Sequence, residues 1–277
     1  MRIGIVGAGL SGLATAFYIK RARPDAHLVV FEANAGPGGA MHTEVIDGFR
    51  FEAGPNGFLT NKPDCLQLVQ DSGASEQLLP SSDLARKRFL YTDRLHRMPE
   101  SPPLFVKSKL LSWPQKLRMA GEVFVPARRA GPDESLRDFG NRRLGAGFTS
   151  VFRDATSAGI YGSTPDKLSG EAAFPLVVAL EREYGGLFRG MIAKRKKEAG
   201  PGGVLTSTKG GISTLANHLR GVIEAEWHFN EPVQTVERAG AGFRITSTAS
   251  VTEVDRVVIC ATSYGAAGMV QSLDTEL

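Results

Sequence analysis

The sequence predicts a strand, a glycine-rich turn, a helix and a second strand, one after another, near the N-terminus of this chain. Ile3-Gly4-Ile5-Val6 is an apolar run typical of a buried parallel strand, and Gly7-Ala8-Gly9-Leu10-Ser11-Gly12 follows it with the spacing G-x-G-x-x-G. The pattern then predicts a helix that ends before Pro24 and a second strand over Leu28-Val29-Val30-Phe31. These elements indicate an α/β domain with a parallel sheet, and their order is the one that binds an adenine dinucleotide.

The glycines and the carboxylate of this segment have separate predicted tasks. Gly7 allows the tight turn, Gly9 lets the backbone approach a pyrophosphate, and Gly12 lets the helix pack closely on the sheet. The free N–H groups at the start of the helix face the phosphates. Glu32 lies about 20 residues after Gly12, where a carboxylate accepts ribose hydroxyls and argues against NADP. The candidate cofactor-binding residues here are Gly7, Gly9, Leu10, Ser11, Gly12, Glu32 and Ala33.

A second glycine loop, Gly36-Pro37-Gly38-Gly39, comes shortly after the ribose acid. A flavin nucleotide extends beyond its adenosine half and needs further backbone contacts there, so the loop favours FAD over NAD. An ordinary turn is the other interpretation of a Gly/Pro loop. Gly38 and Gly39 therefore join the candidate cofactor-binding residues.

The composition excludes several classes of protein. No run of about 18 apolar residues is present, and the apolar start of the chain lacks the charged region and cleavage site of a secretory signal. Cys65 and Cys260 are far apart and the five histidines are scattered, so we predict no metal site and a reducing cytoplasm. No basic stretch is interleaved with aromatic residues as in a single-strand channel, which argues against a nucleic-acid partner.

Positive charge is concentrated in one region. Between Arg86 and Arg143, Lys and Arg outnumber Asp and Glu by 14 to 6, although the whole chain has a net charge of only +4. Apolar residues alternate with these basic ones. The pattern is open to three interpretations: a solvated helix face, a surface for an acidic substrate, or a surface for peripheral association with an anionic membrane at the inner face of the cell membrane. The sequence also leaves homo-oligomerisation open.

The periodicity of apolar residues changes along the chain. A hairpin is predicted over Thr43–Glu52, with its turn at Asp47-Gly48. Helical patterns then dominate, and the clearest cover residues 135–139 and 172–195. Strand patterns return in the last quarter of the chain, where they include Val222-Ile223.

These changes predict the domain organisation. The fold class is α/β: a discontinuous FAD-binding Rossmann-like domain formed by residues 1–95 and 205–277. A largely helical insert over residues 96–204, which faces substrate or membrane, interrupts it.

Four further segments carry more specific motifs. They are Phe51-Glu52-Ala53-Gly54-Pro55-Asn56-Gly57-Phe58-Leu59 with Lys62-Pro63, then Arg88-Phe89-Leu90-Tyr91, then Ser157-Ala158-Gly159-Ile160-Tyr161-Gly162 with Asp166-Lys167-Leu168-Ser169, and Lys209-Gly210-Gly211-Ile212-Ser213-Thr214-Leu215. In this order they resemble the oxygen-dependent protoporphyrinogen and coproporphyrinogen oxidases of haem biosynthesis, within the flavin-dependent amine-oxidase-like superfamily. The resemblance implies FAD as cofactor and oxidation of protoporphyrinogen IX or coproporphyrinogen III to the porphyrin, with O2 as acceptor.

The resemblance also implies where the substrate binds. Flavin takes hydride and protons from the macrocycle in two-electron steps, so no catalytic side chain is expected. Arg88 matches the arginine that faces a substrate carboxylate, Asn56 a polar position near the macrocycle, and Gly159 a position of close approach to it. Without the resemblance, Arg88 would be a surface cation and Asn56 and Gly159 ordinary turn residues.

Further positions are implied to contact FAD. Val233 lies in a strand that contacts adenine in relatives, and Ala261-Thr262 ends the last strand beside the cofactor. With the loop after the hairpin, the added candidates are Gly54, Pro55, Asn56, Val233, Ala261 and Thr262.

The chain departs from the family pattern in two places. Ala40-Met41-His42 stands where the superfamily often has an arginine near the flavin. Relatives continue beyond the position of Leu277 through the rest of the substrate domain and a C-terminal glycine-rich segment that closes over the flavin. We therefore expect an N-terminal fragment. An inactive truncated FAD-binding fragment is one alternative function, and another amine-oxidase-like flavoenzyme, such as an amine oxidase or carotenoid desaturase, is a second.

Overall fold

The structure is a computed structural model that describes residues 1–61, 63–82, 84, 87–128, 131–197 and 203–273. The chain forms two compact units: unit 1 comprises Met1–Ser81 and Gly202–Leu277, and unit 2 comprises Ser82–Pro201. The divisions lie at 81/82 and 201/202. The boundaries predicted from sequence, 95/96 and 204/205, differ from these and stay a prediction.

The elements are numbered in chain order. The strands are β1 (Arg2–Val6), β2 (His27–Phe31), β3 (Thr43–Ile46), β4 (Phe49–Glu52), β5 (Phe58–Leu59), β6 (Leu78–Pro80), β7 (Phe89–Tyr91), β8 (Leu95–Arg97), β9 (Leu205–Thr208), β10 (Glu226–His228), β11 (Val233–Ala239), β12 (Gly242–Ser247), β13 (Val251–Val254) and β14 (Arg256–Ile259). The α-helices are α1 (Leu10–Ala22), α2 (Pro63–Asp71), α3 (Pro102–Lys107), α4 (Trp113–Ala120), α5 (Leu136–Arg143), α6 (Ala146–Tyr161), α7 (Gly170–Ala173), α8 (Pro175–Tyr184), α9 (Leu187–Lys197), α10 (Ser213–Val222) and α11 (Ser263–Val270). Short 3-10 turns cover Ser75–Gln77 and Gly121–Phe124.

A parallel sheet lies at the centre of unit 1. Its strand order within the described residues is β10-β2-β1-β14. β1 therefore pairs with β2, the next strand in sequence, on one side and with β14 on the other. Alternate side chains of β1 and β2 face two different cores. Ile5 and Val30 pack in a cluster with α1 and α10, whereas Val6 and Phe31 pack in a cluster with the antiparallel β11-β12-β13 sheet. This layering of helices, parallel sheet and antiparallel sheet confirms the predicted α/β Rossmann-like fold.

The predicted hairpin is confirmed, but one predicted strand is wrong. β3 and β4 pair in antiparallel register around Asp47 and Gly48, whose φ angles are 51° and 81°. The segment Val222-Ile223 is instead the end and C-cap of α10. Ile223 continues the helical spacing of Leu215 and Leu219 and is buried like them, whereas Val222 is 48% exposed. The packing of this face of α10 outweighs the strand preference at Val222, and the helix ends at Ile223, whose backbone is extended.

Unit 2 is largely helical and contains one hairpin, β7–β8, within its described residues. The helix predicted over 172–195 is wrong as a single element, because it divides into the end of α7, then α8 and α9. Pro175 begins α8, since proline suits the first helical turn, and Gly185 ends it at φ 75°. Within the described residues, no helix is both long enough and apolar enough to span a membrane.

A buried ion pair ties the helices of unit 2 together. The guanidinium of Arg143 on α5 bonds to the carboxylate of Glu122, and both residues have no exposed surface. Glu122 also accepts hydrogen bonds from the backbone amides of Leu187 (2.8 Å) and Phe188 (3.2 Å), at the start of α9. One carboxylate therefore neutralises a buried cation and satisfies the free N–H groups of a helix N-terminus.

Candidate cofactor site

The glycine turn of unit 1 depends on residues that lack a Cβ. Gly7 has φ 100°, in the left-handed region, and a Cβ there would lie 2.8 Å from the carbonyl oxygen of Cys260. A Cβ on Gly12 would overlap the carbonyl oxygen of Gly7. The N-cap Gly9 offers no side-chain acceptor to the first-turn N–H groups of α1, which begins at Leu10. The turn therefore presents donors without a side chain in the way, as the pyrophosphate of a dinucleotide requires.

The second glycine loop lies directly beside the first. The amide of Gly38 donates to the carbonyl oxygen of Ala8 at 2.8 Å, and Gly9 and Gly38 form a parallel bridge. Gly39 has φ 57°, and a Cβ there would approach the Cα atom of Gly9 to 3.2 Å. Both loops thus form one continuous backbone surface at the carboxyl end of β1, where ligands bind in open parallel sheets.

Glu32 closes this surface from the end of β2. Its side chain is buried, and Oε2 accepts the amide of Ala8 at 2.7 Å. Oε1 accepts the backbone amide of Asn34 at 2.9 Å and the Asn34 Nδ2 at 2.8 Å. Because a carboxylate has about four lone-pair positions, a hydroxyl can bind at the remaining position or replace the Asn34 side chain. Ala33, between them, is exposed.

The strand-end candidates lie around the same turn. The amide of Cys260 donates to the carbonyl oxygen of Val6 at 2.8 Å, so the exposed Ala261 follows directly beside the glycine turn. Thr262 is the exposed N-cap of α11. Val233, the first residue of β11, is buried in the cluster that contains Val6.

The loop after β4 holds three more candidates, all exposed: Gly54, Pro55 and Asn56. A Cβ on Gly54 would overlap the carbonyl oxygen of Ala40, and the amide of Ala53 donates to the carbonyl oxygen of His42 at 2.8 Å. Glycine at position 54 is therefore required by the neighbouring loop of the chain itself. Its predicted approach to flavin stays a prediction.

Arg88 and Gly159 belong to unit 2. Arg88 is exposed immediately before β7, and its side chain forms no ion pair with the described residues. Gly159 is exposed in the last turn of α6, and the position of a Cβ there is open, with no atom within 4 Å. Both positions are accessible to a ligand, and their roles in substrate binding stay predictions.

The residues present fit the adenosine diphosphate part of FAD. Gly7, Gly9 and Gly12 leave backbone space of the kind that a pyrophosphate needs, and Glu32 keeps an acceptor position for a hydroxyl. Their roles in binding the cofactor stay predictions. Sequence patterns did not predict the contacts of Glu32 with Asn34, His228 and Glu231. The Asn34 side chain bonds to the carboxylate of Glu32, and the backbones of His228 and Glu231 bond to the backbone of Glu32. Glu32 and the 228–231 segment are far apart in sequence, and no motif connects them.

Comparison with known proteins extends this picture. The family model described as flavin containing amine oxidoreductase matches residues 10–276. Coproporphyrinogen III oxidase of Bacillus subtilis strain 168 is 31% identical over 97% of this chain and 61% of its own length. The chloroplastic protoporphyrinogen oxidase of Oryza sativa subsp. japonica is 35% identical over 68% of this chain and 35% of its own length.

Solved structures agree with the fold. A solved structure from Exiguobacterium sp. 255-15 matches with a TM-score of 0.76 and 27% sequence identity. The match covers 96% of this chain and 60% of the Exiguobacterium chain. Putrescine oxidase, at 18% identity and a TM-score of 0.65, shows the fold alone. The chain thus spans about three fifths of the length of the Bacillus relative and of these structures. The match and the cradle confirm FAD as the cofactor, and the chain belongs to the family of flavin containing amine oxidoreductases.

Proposed function

We propose that this chain contributes the FAD-binding unit and part of the substrate site of a porphyrinogen oxidase, which oxidises protoporphyrinogen IX or coproporphyrinogen III with O2. The observation that carries the proposal is the glycine cradle closed by Glu32, in a chain matched over 97% of its length by a coproporphyrinogen III oxidase. The relatives' names favour this function over an amine oxidase or a carotenoid desaturase.

Each part of the chain has a defined role in this proposal. When bound, FAD supplies the two-electron chemistry that removes hydride from the macrocycle. The N–H groups around Gly9 bind the pyrophosphate, and Glu32 orients the ribose. In unit 2, Arg88 binds a propionate of the substrate through its planar donor pair and Gly159 is a candidate contact to the macrocycle. In unit 1, Asn56 is a separate candidate contact to the macrocycle. The protein binds and orients, and no side chain is required to transfer a proton.

Arg88→Ala tests the substrate site. We expect porphyrin formation from a porphyrinogen to fall by about 10- to 100-fold, because a hydrogen bond between charged groups contributes about 1.5–3 kcal/mol. FAD affinity should not change. Porphyrin fluorescence measures the first quantity and quenching of flavin fluorescence the second.

Arg94→Ala is the matched control, since Arg94 is also an exposed arginine of the β7–β8 hairpin. Equal loss of substrate use and FAD affinity in Arg88→Ala would show that Arg88 is structural. If the wild-type chain binds FAD but produces no porphyrin above the autoxidation rate, while the Bacillus relative does, the chain is an inactive fragment. A colourless protein that FAD does not stabilise against heat would contradict FAD binding itself.

We further propose that unit 2 associates peripherally with an anionic membrane surface. Leu104, Trp113 and Leu117 on α3 and α4 are exposed apolar side chains, and Phe124 after them is 86% exposed. The ammonium of Lys116 lies 4.9 Å from the Trp113 ring centroid. Large apolar side chains next to cations are typical of proteins that bind at the interface of anionic lipid.

Lys107→Ala with Lys109→Ala tests this surface. Both lysines are exposed, and each contributes about 1 kcal/mol near an anionic bilayer, so the double variant should bind vesicles containing phosphatidylserine about 30-fold more weakly. Co-sedimentation measures the binding. Lys167→Ala with Lys209→Ala is the control, because it removes two exposed lysines outside the segment 102–124 and should bind like the wild type. Equal binding of wild type and the Lys107/Lys109 variant, or binding that neutral phosphatidylcholine vesicles match, would contradict the proposal.

A further inference from the structure

The end of β2 is held by a turn that follows β10. We name residues 228–231 the anchor turn. The amide of Glu32 donates to the carbonyl oxygen of His228 at 2.8 Å, and the amide of Glu231 donates to the carbonyl oxygen of Glu32 at 3.0 Å. The amide of Asn230 donates to the carbonyl oxygen of Asn34 at 3.0 Å. Both backbone polar groups of Glu32 are therefore fixed by the anchor turn, while its carboxylate reaches the glycine turn.

A buried carboxylate holds the anchor turn in place. Glu231 is 8% exposed, and its Oε2 lies 2.7 Å from Nδ1 of His228. Its Oε1 accepts the hydroxyl groups of Ser247, at the end of β12, and Ser250, before β13. A carboxylate tolerates such burial only when hydrogen bonds replace its hydration. The loss of one partner would therefore leave the charge of Glu231 incompletely hydrogen-bonded and destabilise the anchor turn.

His228 connects the anchor turn to β2. Its ring stacks on Phe31 with centroids 4.8 Å apart and an interplanar angle of 22°, and Nε2 lies 2.9 Å from the carboxylate of Glu226. Burial favours the neutral imidazole, but hydrogen bonds to Glu226 and Glu231 and the charges of both carboxylates outweigh it and raise the pKa of His228. Glu226 is also paired with His27 and Arg2.

The anchor turn contains one residue in the left-handed region. Asn230 has φ 56°, a conformation that asparagine adopts more readily than most residues other than glycine. The amide of the same residue bonds to Asn34, whose side chain shares the carboxylate of Glu32. A relaxation of the turn would therefore move both Glu32 and its neighbouring donor.

We propose that Glu231 and His228 are positioning residues for Glu32, and that they set how strongly unit 1 discriminates the ribose hydroxyls of an adenine nucleotide. This inference rests on the proposed binding of FAD through Glu32. A hydroxyl bonds to a carboxylate only within a narrow range of distance, so a small displacement of Glu32 removes the contact without removing the pyrophosphate cradle.

The test compares ADP with 2′-deoxy-ADP by titration calorimetry. In the wild type, ADP should bind about 10-fold more tightly, since the ribose hydroxyl bonds to a charged acceptor. In Glu231→Ala the affinity for ADP should fall to that for 2′-deoxy-ADP, which itself should change little. Glu253→Ala is the control, because Glu253 is an exposed carboxylate of the β11-β12-β13 sheet, which also holds Ser247, and is paired with Arg244 at 3.0 Å.

Two milder variants keep the test decisive if Glu231→Ala does not fold. Glu231→Gln retains an acceptor for the serine hydroxyls and should restore part of the discrimination. Ser250→Ala removes one partner of Glu231 and should lower the discrimination less than Glu231→Ala. Thermal unfolding measures the stability of each variant. A merely structural role of Glu231 would lower the affinities for ADP and for 2′-deoxy-ADP together.

The outcomes distinguish the inference from the proposed function. Unchanged discrimination in folded Glu231 variants would overturn the inference, and so would a wild type that binds FAD without discriminating ribose from deoxyribose. In both cases FAD binding would stand. A wild type that binds neither FAD nor ADP would overturn the proposed function and the inference with it.

Discussion

Gly12→Ala is expected to reduce the affinity for FAD by about 100-fold or more, a loss of about 2.7 kcal/mol. The added methyl group would overlap the carbonyl oxygen of Gly7, and both groups are backbone-anchored, so either α1 or the glycine turn must shift. Such overpacking also costs about 1–3 kcal/mol of stability. Quenching of flavin fluorescence measures the affinity, and urea unfolding measures the stability.

Gly36→Ala is the matched control for this change. Gly36 lies in the second glycine loop, and nothing of the chain lies within 4 Å of the position of its Cβ. We expect it to retain FAD affinity and stability. Wild-type FAD affinity in Gly12→Ala would show that the close packing of α1 on the sheet is not needed for the cradle.

Glu122→Ala is expected to destabilise unit 2 by about 3–5 kcal/mol, because the buried Arg143 loses the carboxylate bonded to it and keeps only the more distant Glu181, at 3.5 Å. It also removes the acceptor for the amides of Leu187 and Phe188 at the start of α9. Urea unfolding followed by circular dichroism measures the free energy. Hydrogen exchange locates the effect, with protection lost in α5 and α9 and retained in β1 and β2.

Two further variants define the cause. Glu171→Ala removes an exposed carboxylate paired with Arg182 at 2.8 Å and should cost less than about 1 kcal/mol. Glu122→Gln with Arg143→Met removes both charges and should be more stable than Glu122→Ala, because no buried charge is left unpaired. A small effect of Glu122→Ala alone would mean that Glu181 or entering water neutralises the charge of Arg143.

The sequence pattern was sufficient where a local motif determines the backbone. The glycine turn, the helix after it and the Asp47-Gly48 hairpin are each fixed by residues within a few positions of one another. The positions of Gly7, Gly12 and Glu32 could therefore be predicted, and the fold class followed from them.

The pattern was insufficient where distant segments determine the result. Val222-Ile223 has strand-forming residues, but it forms the end of α10, whose packing depends on the buried Leu215, Ala216 and Leu219. The anchor turn reaches Glu32 only after β10 pairs with β2, and no periodicity encodes this contact. The break at Gly185 was visible in the sequence, yet the apolar spacing on both sides resembled one long helix.

The pairing of β14 with β1 has a consequence for folding during synthesis. β1 pairs with residues 256–259, and the carbonyl oxygen of Cys260 lies next to Gly7, 2.8 Å from the position of a Cβ there. During synthesis the first glycine turn is made early, but the strand that supports it leaves the ribosome only after residues 256–259 have been added. Because contacts between distant segments form slowly, a nascent chain should acquire flavin late and depend on protection of β1 until then.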